Sequence, residues 1–306
     1  MSKIAFIYPG QGAQKAGMGA DFYDGCRTAG ELYDTAEQAL GLDMKHLCFE
    51  ENDKLDLTEY TQAALVTTCL AMTRAVREAG IAPDITAGLS LGEYAAIAAS
   101  GGMDELDAIR LVRKRGILMQ NTVPAGVGAM CAVMGMETAR IEEILLSTEG
   151  AEIANYNCPG QIVITGYKEA VETAAQRLKE AGAKRTVMLN VSGPFHSPLL
   201  IPAGEALSEE LSKVTLHDLR IPYVTNVSAE KVDDISRTKE LLARQVSSPV
   251  RWQQSMELMI SEGVDYFVEI GPGRTLAGFM KKISRDVTVY HISTWEDVGK
   301  VAGELC

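Results

Sequence analysis

The chain has 306 residues, 46% of them hydrophobic, with a formal net charge of −12. That length holds one large domain or two smaller ones, the acidity disfavours nucleic acid as a partner, and no apolar run is long enough to span a membrane. Six scattered cysteines without a Cys-x-x-Cys pair, and four dispersed histidines, exclude a disulfide framework or zinc site as the first expectation and fit free thiols in a reducing cytoplasm.

The N-terminal run Ile4–Tyr8 reads as a buried strand; the segment Ser2–Tyr8 lacks the long apolar region and cleavage site of a signal peptide. It ends in a glycine-rich turn, Pro9-Gly-Gln-Gly-Ala-Gln14. A second strand, Ile85–Leu89, runs into Gly88-Leu-Ser-Leu-Gly92 and a small-residue helix over Glu93–Ser100. Strand, sharp turn and helix around Gly-x-Ser-x-Gly is the context of a nucleophile elbow, which lifts a serine hydroxyl clear of the sheet. The pattern fixes only three positions in a chain with 28 glycines, so Ser90 needs further groups around it to count as a nucleophile.

Asp104–Asn121 reads as a helix. Arg115 on it has Leu111, Val112, Leu118 and Met119 three and four residues away, which puts a guanidinium on the buried stripe. A buried cation requires a partner. That partner is either an internal carboxylate, which makes Arg115 structural, or the carboxylate of a substrate, which suits the planar two-point fork of arginine.

Residues 126–191 read as βαββαβ: strand Val127–Met134, helix Glu137–Ser147, strands Glu152–Tyr156 and Gln161–Thr165, helix Lys168–Ala181 and strand Arg185–Val191. That order is ferredoxin-like, and it is bounded by Val123-Pro-Ala-Gly126 and Ser192-Gly-Pro194. The expected organisation is a parallel-sheet core over 1–125 and 192–306 with a small subdomain inserted over 126–191. Two further strands, Ile221–Asn226 and Tyr266–Ile270, complete the core pattern, the latter ending in Gly271-Pro-Gly273. Sites in such sheets lie at the carboxyl ends of the strands, so the turns after Tyr8, Gly88 and Ile270 should converge.

His196, in Ser192-Gly-Pro-Phe-His-Ser-Pro198, is the best candidate base for Ser90; His46, His217 and His291 sit in a helical region, a polar link and a strand. No acidic third member is obvious, and a backbone carbonyl is the alternative orienter. The N–H of Leu91 and that of Gln11 are placed to form an oxyanion hole. The rival reading of the 9–14 loop, a phosphate cradle, matches neither Gly-x-Gly-x-x-Gly nor a Walker lysine pattern.

With these residues in place, the chain resembles the malonyl-CoA:acyl carrier protein transacylase family, acyltransferases of fatty-acid and polyketide synthesis. The resemblance runs nearly end to end, through Pro9–Gln14, Tyr60-Thr-Gln62, Gly88–Tyr94, Arg115–Met119, Asn157-Cys-Pro-Gly-Gln161, Gly193–Ser197, Gln245–Trp252 and Glu269–Gly273. It implies an α/β-hydrolase-like core with a ferredoxin-like insertion. It assigns Ser90 as nucleophile, His196 as base, Gln11 and Leu91 as the oxyanion hole and Arg115 as the clamp on a malonyl carboxylate. It also implies that the main-chain carbonyl of Gln245 orients the histidine, and that Gln62, Met119, Asn157, Phe195 and Gln245 belong to the substrate site.

Phe195 resembles the malonyl-selective form, where bulk disfavours an α-methyl branch. Leu89 departs from the histidine found in many members, and Pro194 replaces a small or aliphatic residue.

The implied reaction is ping-pong transfer of malonyl from malonyl-CoA through Ser90 to the phosphopantetheine thiol of holo acyl carrier protein, with no cofactor, metal, nucleic acid or membrane involved, in a cytoplasmic monomer. A serine thioesterase on the same scaffold and malonyl loading for polyketide synthesis are the alternatives; a non-catalytic carrier-binding module is a third. On charge alone, Lys184, Arg185, Lys281, Lys282 and Arg285 are candidates for carrier docking.

Overall fold

The computed structural model describes residues 2–306. Its strands are, in chain order, β1 Lys3–Tyr8, β2 Ile85–Gly88, β3 Gly128–Met134, β4 Ala151–Cys158, β5 Gln161–Tyr167, β6 Arg185–Met188, β7 Tyr223–Val224, β8 Lys231–Val232, β9 Val264–Ile270 and β10 Thr288–Ile292. They form two sheets, one six-stranded with order β10-β9-β1-β2-β7-β8 and one four-stranded with order β4-β5-β3-β6.

The large sheet is parallel from β10 to β7, and only β8 runs antiparallel. β1 shows why its sequence is apolar throughout rather than alternating. Phe6 and Tyr8 enter the core on one face, under the long helix Thr58–Glu78. Ala5 and Ile7 enter the core on the other, with Trp252, Met256 and Phe279. A parallel strand covered by helices on both sides has no solvent face to mark with polar residues. The parallel arrangement brings the carboxyl ends of β9, β1, β2 and β7 to one edge of the sheet. The turn after β7 therefore joins the three expected there.

The small sheet is antiparallel throughout. Cys131, Val133, Ile153, Ile162 and Ile164 pack on helices Thr138–Leu146 and Lys168–Glu180 through Ile141, Val171, Ala174 and Leu178. The alternate residues Met130, Ala132 and Val163 belong to the main core and face the large sheet. The period of two thus divides each strand between a private core and the wall of a cleft.

Several expected strand limits shift. The run Ile221–Asn226 holds only a two-residue strand, because the chain turns at Thr225 into a hairpin with β8: the Thr225 N–H donates to the Glu230 carbonyl and the Ala229 N–H to that of Thr225. β6 ends at Met188 rather than Val191, since its ladder with β3 ends at the Cys131–Met188 pair. β4 and β5 each extend further than their apolar cores. All six cysteines are free thiols, five of them buried. Among the described residues no helix is long and apolar enough to cross a membrane.

Candidate active site

The elbow is forced by glycine. A Cβ on Gly88 would lie 1.9 Å from the Gly92 carbonyl carbon, and one on Gly92 would lie 2.3 Å from the Tyr8 carbonyl oxygen. Side chains at either position would push the following helix off β1 and β2. Between them Ser90 has φ 52°, a left-handed value uncommon outside glycine.

That strained residue is gripped from both sides. Its N–H donates to Asn226 Oδ1 at 2.6 Å, and its carbonyl accepts from Gln245 Nε2 at 2.9 Å. Asn226 Nδ2 also donates to the Gly88 carbonyl at 2.7 Å, so one side chain from the turn after β7 spans the elbow.

His196 stands against the serine, its Nε2 2.7 Å from Ser90 Oγ. Its Nδ1 faces two carbonyl oxygens, Gln245 at 2.8 Å and Ser248 at 3.1 Å. Both can only accept, so Nδ1 carries the proton and Nε2 presents its lone pair to the serine hydroxyl. Burial pushes the imidazole pKa down to about 4, and the nearby Arg115 charge pushes the same way. The ring is therefore neutral at neutral pH. Its backbone is also left-handed, at φ 61°, with its N–H donating to the Val246 carbonyl. The Pro194 ring packs where a Gly128 side chain would be, tying the base loop to the start of β3. The other histidines lie elsewhere: His46 contacts Glu50, His217 contacts Asp104, and His291 is on β10.

Arg115 is 1% exposed, and it makes no ion pair among the described residues. Its Nη1 donates to Gln62 Oε1 and its Nη2 to Gln245 Oε1, both at 2.8 Å. Nη2 also reaches Ser90 Oγ at 3.2 Å, and the guanidinium lies 5.5 Å from the Tyr94 ring centroid. The two glutamines satisfy donors without neutralising charge. Arg113, two residues earlier, shows the ordinary alternative: it pairs with Glu59 at 2.9 Å and packs on Tyr60.

These groups border a cleft of about 290 Å³ between the two sheets. Ser90, His196, Arg115, Gln11 and Leu91 line it on the large-sheet side, with Met119 and Phe195; Asn157, Ala132 and Val163 line it on the small-sheet side. The main-chain N–H groups of Gln11 and Leu91 have no hydrogen-bond partner among the described residues. The Gln11 side chain is tethered to Thr58 Oγ1 at 2.9 Å. Asn157 is buried, and its Oδ1 is without a partner among the described residues. Gln62 and Gln245 differ from their expected place: neither is on the cleft wall, and both sit behind Arg115.

The sequence reading does not reach three groups of the site: the Ser248 carbonyl, Asn226 and Glu93. In the sequence Asn226 reads as the end of the strand Ile221–Asn226, although its place after a parallel strand next to β2 is a signal. Glu93 reads in the sequence as the first residue of a helix. It is fully buried, and its Oε2 accepts from Gln245 Nε2 at 2.5 Å and from the Asn226 N–H at 3.3 Å. Burial raises its pKa to about 7 against the lowering effect of those hydrogen bonds.

Comparison with known proteins gives a consistent result. The acyl transferase domain model matches residues 5–302. Malonyl CoA-acyl carrier protein transacylase of Bacillus subtilis is 45% identical over 303 residues, covering 97% of this chain and 96% of that protein. The crystal structure of MCAT from Streptococcus pneumoniae superposes with a TM-score of 0.95 at 44% identity, covering 99% of this chain and all of that one. A malonyl-transacylase solved in complex with its type II PKS acyl-carrier protein superposes with a TM-score of 0.96 at 36% identity, covering 99% of this chain and 100% of that one.

Proposed function

The chain belongs to the acyl transferase domain family, among the malonyl-CoA:acyl carrier protein transacylases, and from that premise we propose how its residues carry the reaction. The enzyme transfers malonyl from malonyl-CoA to the thiol of acyl carrier protein, supplying fatty-acid synthesis. One observation carries the residue assignment. A buried arginine with no carboxylate partner among the described residues stands 3.2 Å from a serine hydroxyl that also meets a neutral imidazole.

In the first half-reaction Ser90 Oγ attacks the thioester carbonyl carbon while its proton passes to His196 Nε2. The oxyanion is received by the N–H groups of Gln11 and Leu91, which are free to donate. The carbon–sulfur bond then breaks, and the proton on Nε2 goes to the departing CoA sulfur. In the second half-reaction the carrier thiol gives its proton to His196 and attacks the malonyl ester. The serine oxygen leaves and recovers its proton from Nε2. The Gln245 and Ser248 carbonyls hold the ring in the tautomer that both halves require.

Arg115 sets the acyl group. Each terminal guanidinium nitrogen carries two hydrogens; the glutamines take one from each, the second on Nη2 points at Ser90 Oγ, and the buried Nε–H has no partner among the described residues. The remainder is available to a carboxylate, and binding one supplies the missing countercharge. A malonyl ester on Ser90 places a carboxylate within reach; an acetyl ester does not. The Phe195 ring limits bulk beside the base. Residues 126–191 act as an inserted wall unit.

The carrier docks, on this reading, at the outer end of the cleft. Arg185 and Gln161 are both register partners of Met134, on the sheet face that lines the cleft, and Lys282 Nζ meets Gln161 Oε1 at 3.4 Å. Lys184, Arg185, Lys281, Lys282 and Arg285 are exposed or nearly so, and none is in an ion pair among the described residues. In an acidic chain, such a rim suits an acidic partner.

The test is incubation with malonyl-CoA with and without holo carrier protein. A covalent malonyl adduct on Ser90, with turnover only when carrier is present, is the expected result. Steady CoA release without carrier would make the protein a hydrolase, and no adduct would make it a binder.

A further inference from the structure

Among the described residues, Glu93 is the only carboxylate in contact with the polar network behind Arg115, and it does not touch the arginine. The Gln245 side chain stands between them, donating from Nε2 to Glu93 and accepting at Oε1 from Arg115. We propose that Glu93 is a positioning residue for malonyl recognition: its carboxylate fixes which way the Gln245 amide faces, and so holds Arg115 ready for the substrate. This rests on the malonyl-transfer reading above.

The argument is one of donors and acceptors. An amide has two ends of opposite character. In the observed orientation the Gln245 NH₂ spends its hydrogens on the Ser90 carbonyl and the Glu93 carboxylate, and its oxygen meets the guanidinium. Reversed, the oxygen would face two acceptors and the NH₂ would face a cation. Both are unfavourable in a dry interior. Glu93, together with the Ser90 carbonyl, thereby selects the orientation that presents an acceptor to Arg115.

The spacing matters as much as the orientation. A carboxylate in direct contact would occupy the guanidinium fork and compete with malonyl. Held one amide away, Glu93 offsets part of the buried charge while leaving the fork open. The same oxygen accepts from the Asn226 N–H, whose side chain grips the elbow, so clamp and nucleophile share one anchor.

Two shape-conserving variants separate this role from simple packing. Glu93→Gln keeps an acceptor toward Gln245, and its added NH₂ falls where Glu93 Oε1 has no partner. Glu93→Met fills the same space without an acceptor. Rates of adduct formation on Ser90 from malonyl-CoA and from acetyl-CoA are measured for each by intact-protein mass spectrometry, alongside melting temperature.

Glu93→Met should lower the malonyl-to-acetyl rate ratio about tenfold, mainly through a higher KM for malonyl-CoA. Glu93→Gln should recover the ratio to within about threefold of the parent. An unchanged ratio in Glu93→Met, or equal losses for both thioesters, would overturn the inference. So would a tenfold loss in Glu93→Gln, which also decides the matter if Glu93→Met does not fold. A parent protein that forms no malonyl adduct would instead overturn the functional reading on which this one stands.

Discussion

The two sheets meet at one cleft and contribute opposite things to it. The parallel sheet delivers polar chain ends. Ser90 follows β2, Gln11 follows β1 and Asn226 follows β7, each at a carboxyl end where unpaired N–H groups and turn side chains gather. The antiparallel sheet delivers a face, with Met130, Ala132 and Val163 alternating with residues committed to its own core. Strand direction explains the difference. Parallel neighbours bring like ends together and concentrate chemistry at an edge, whereas antiparallel neighbours share a face and spread shape over it. Substitutions on the first side should therefore act on chemistry, and those on the second on fit.

The sharpest break should come at the elbow. Ser90→Ala removes the acyl acceptor, so adduct formation from malonyl-CoA should fall by at least about 10⁴-fold. Any malonyl adduct still seen by intact-protein mass spectrometry would take the nucleophile away from the parallel edge.

His196→Ala should slow acylation by about 10²-fold to 10⁴-fold, measured by stopped-flow release of CoA. The same residue sets the pH dependence. Its pKa is lowered to about 4, so the base stays unprotonated well below the ordinary histidine range. In Glu93→Gln, which lacks the carboxyl raised to about 7, acylation kcat/KM should hold through pH 6.5 and decline only as pH falls toward about 4. A decline centred near 6.5 would mean that the imidazole is more hydrated than its burial implies.

Arg115→Ala should reduce malonyl transfer by about 10²-fold while costing acetyl transfer much less, since only malonyl brings a carboxylate to the clamp. Equal losses in a competition assay would return Arg115 to a structural role.

On the antiparallel side, Val163→Ala should cost about 1–2 kcal/mol of stability in a denaturant melt and change malonyl transfer by less than about threefold. A large rate loss with unchanged stability would erase the distinction between the edge and the wall.

Much of this could be read in the chain. The glycines flanking Ser90, the apolar neighbours of Arg115 and the βαββαβ order are local patterns, because turns, helical faces and strand periods are fixed within a few residues. The His196 loop was legible for the same reason: glycine and prolines surround a histidine outside regular structure. Legibility ends at Gln245: family resemblance implies its main-chain carbonyl as orienter and a place in the substrate site, but not the side chain's grip on Arg115. It ends also at Ile221–Asn226, whose apolar run conceals a two-residue strand and a turn.

By itself, then, the sequence determined which groups could do chemistry and on which elements they sit. Tertiary structure alone decided how they are held. The Asn226 bond to Ser90 spans 136 residues of chain and the Glu93 bond to Gln245 spans 152. No local spacing encodes such contacts. They arise because parallel strands distant in sequence end side by side, and because a buried donor or acceptor must find its partner wherever the packing brings one.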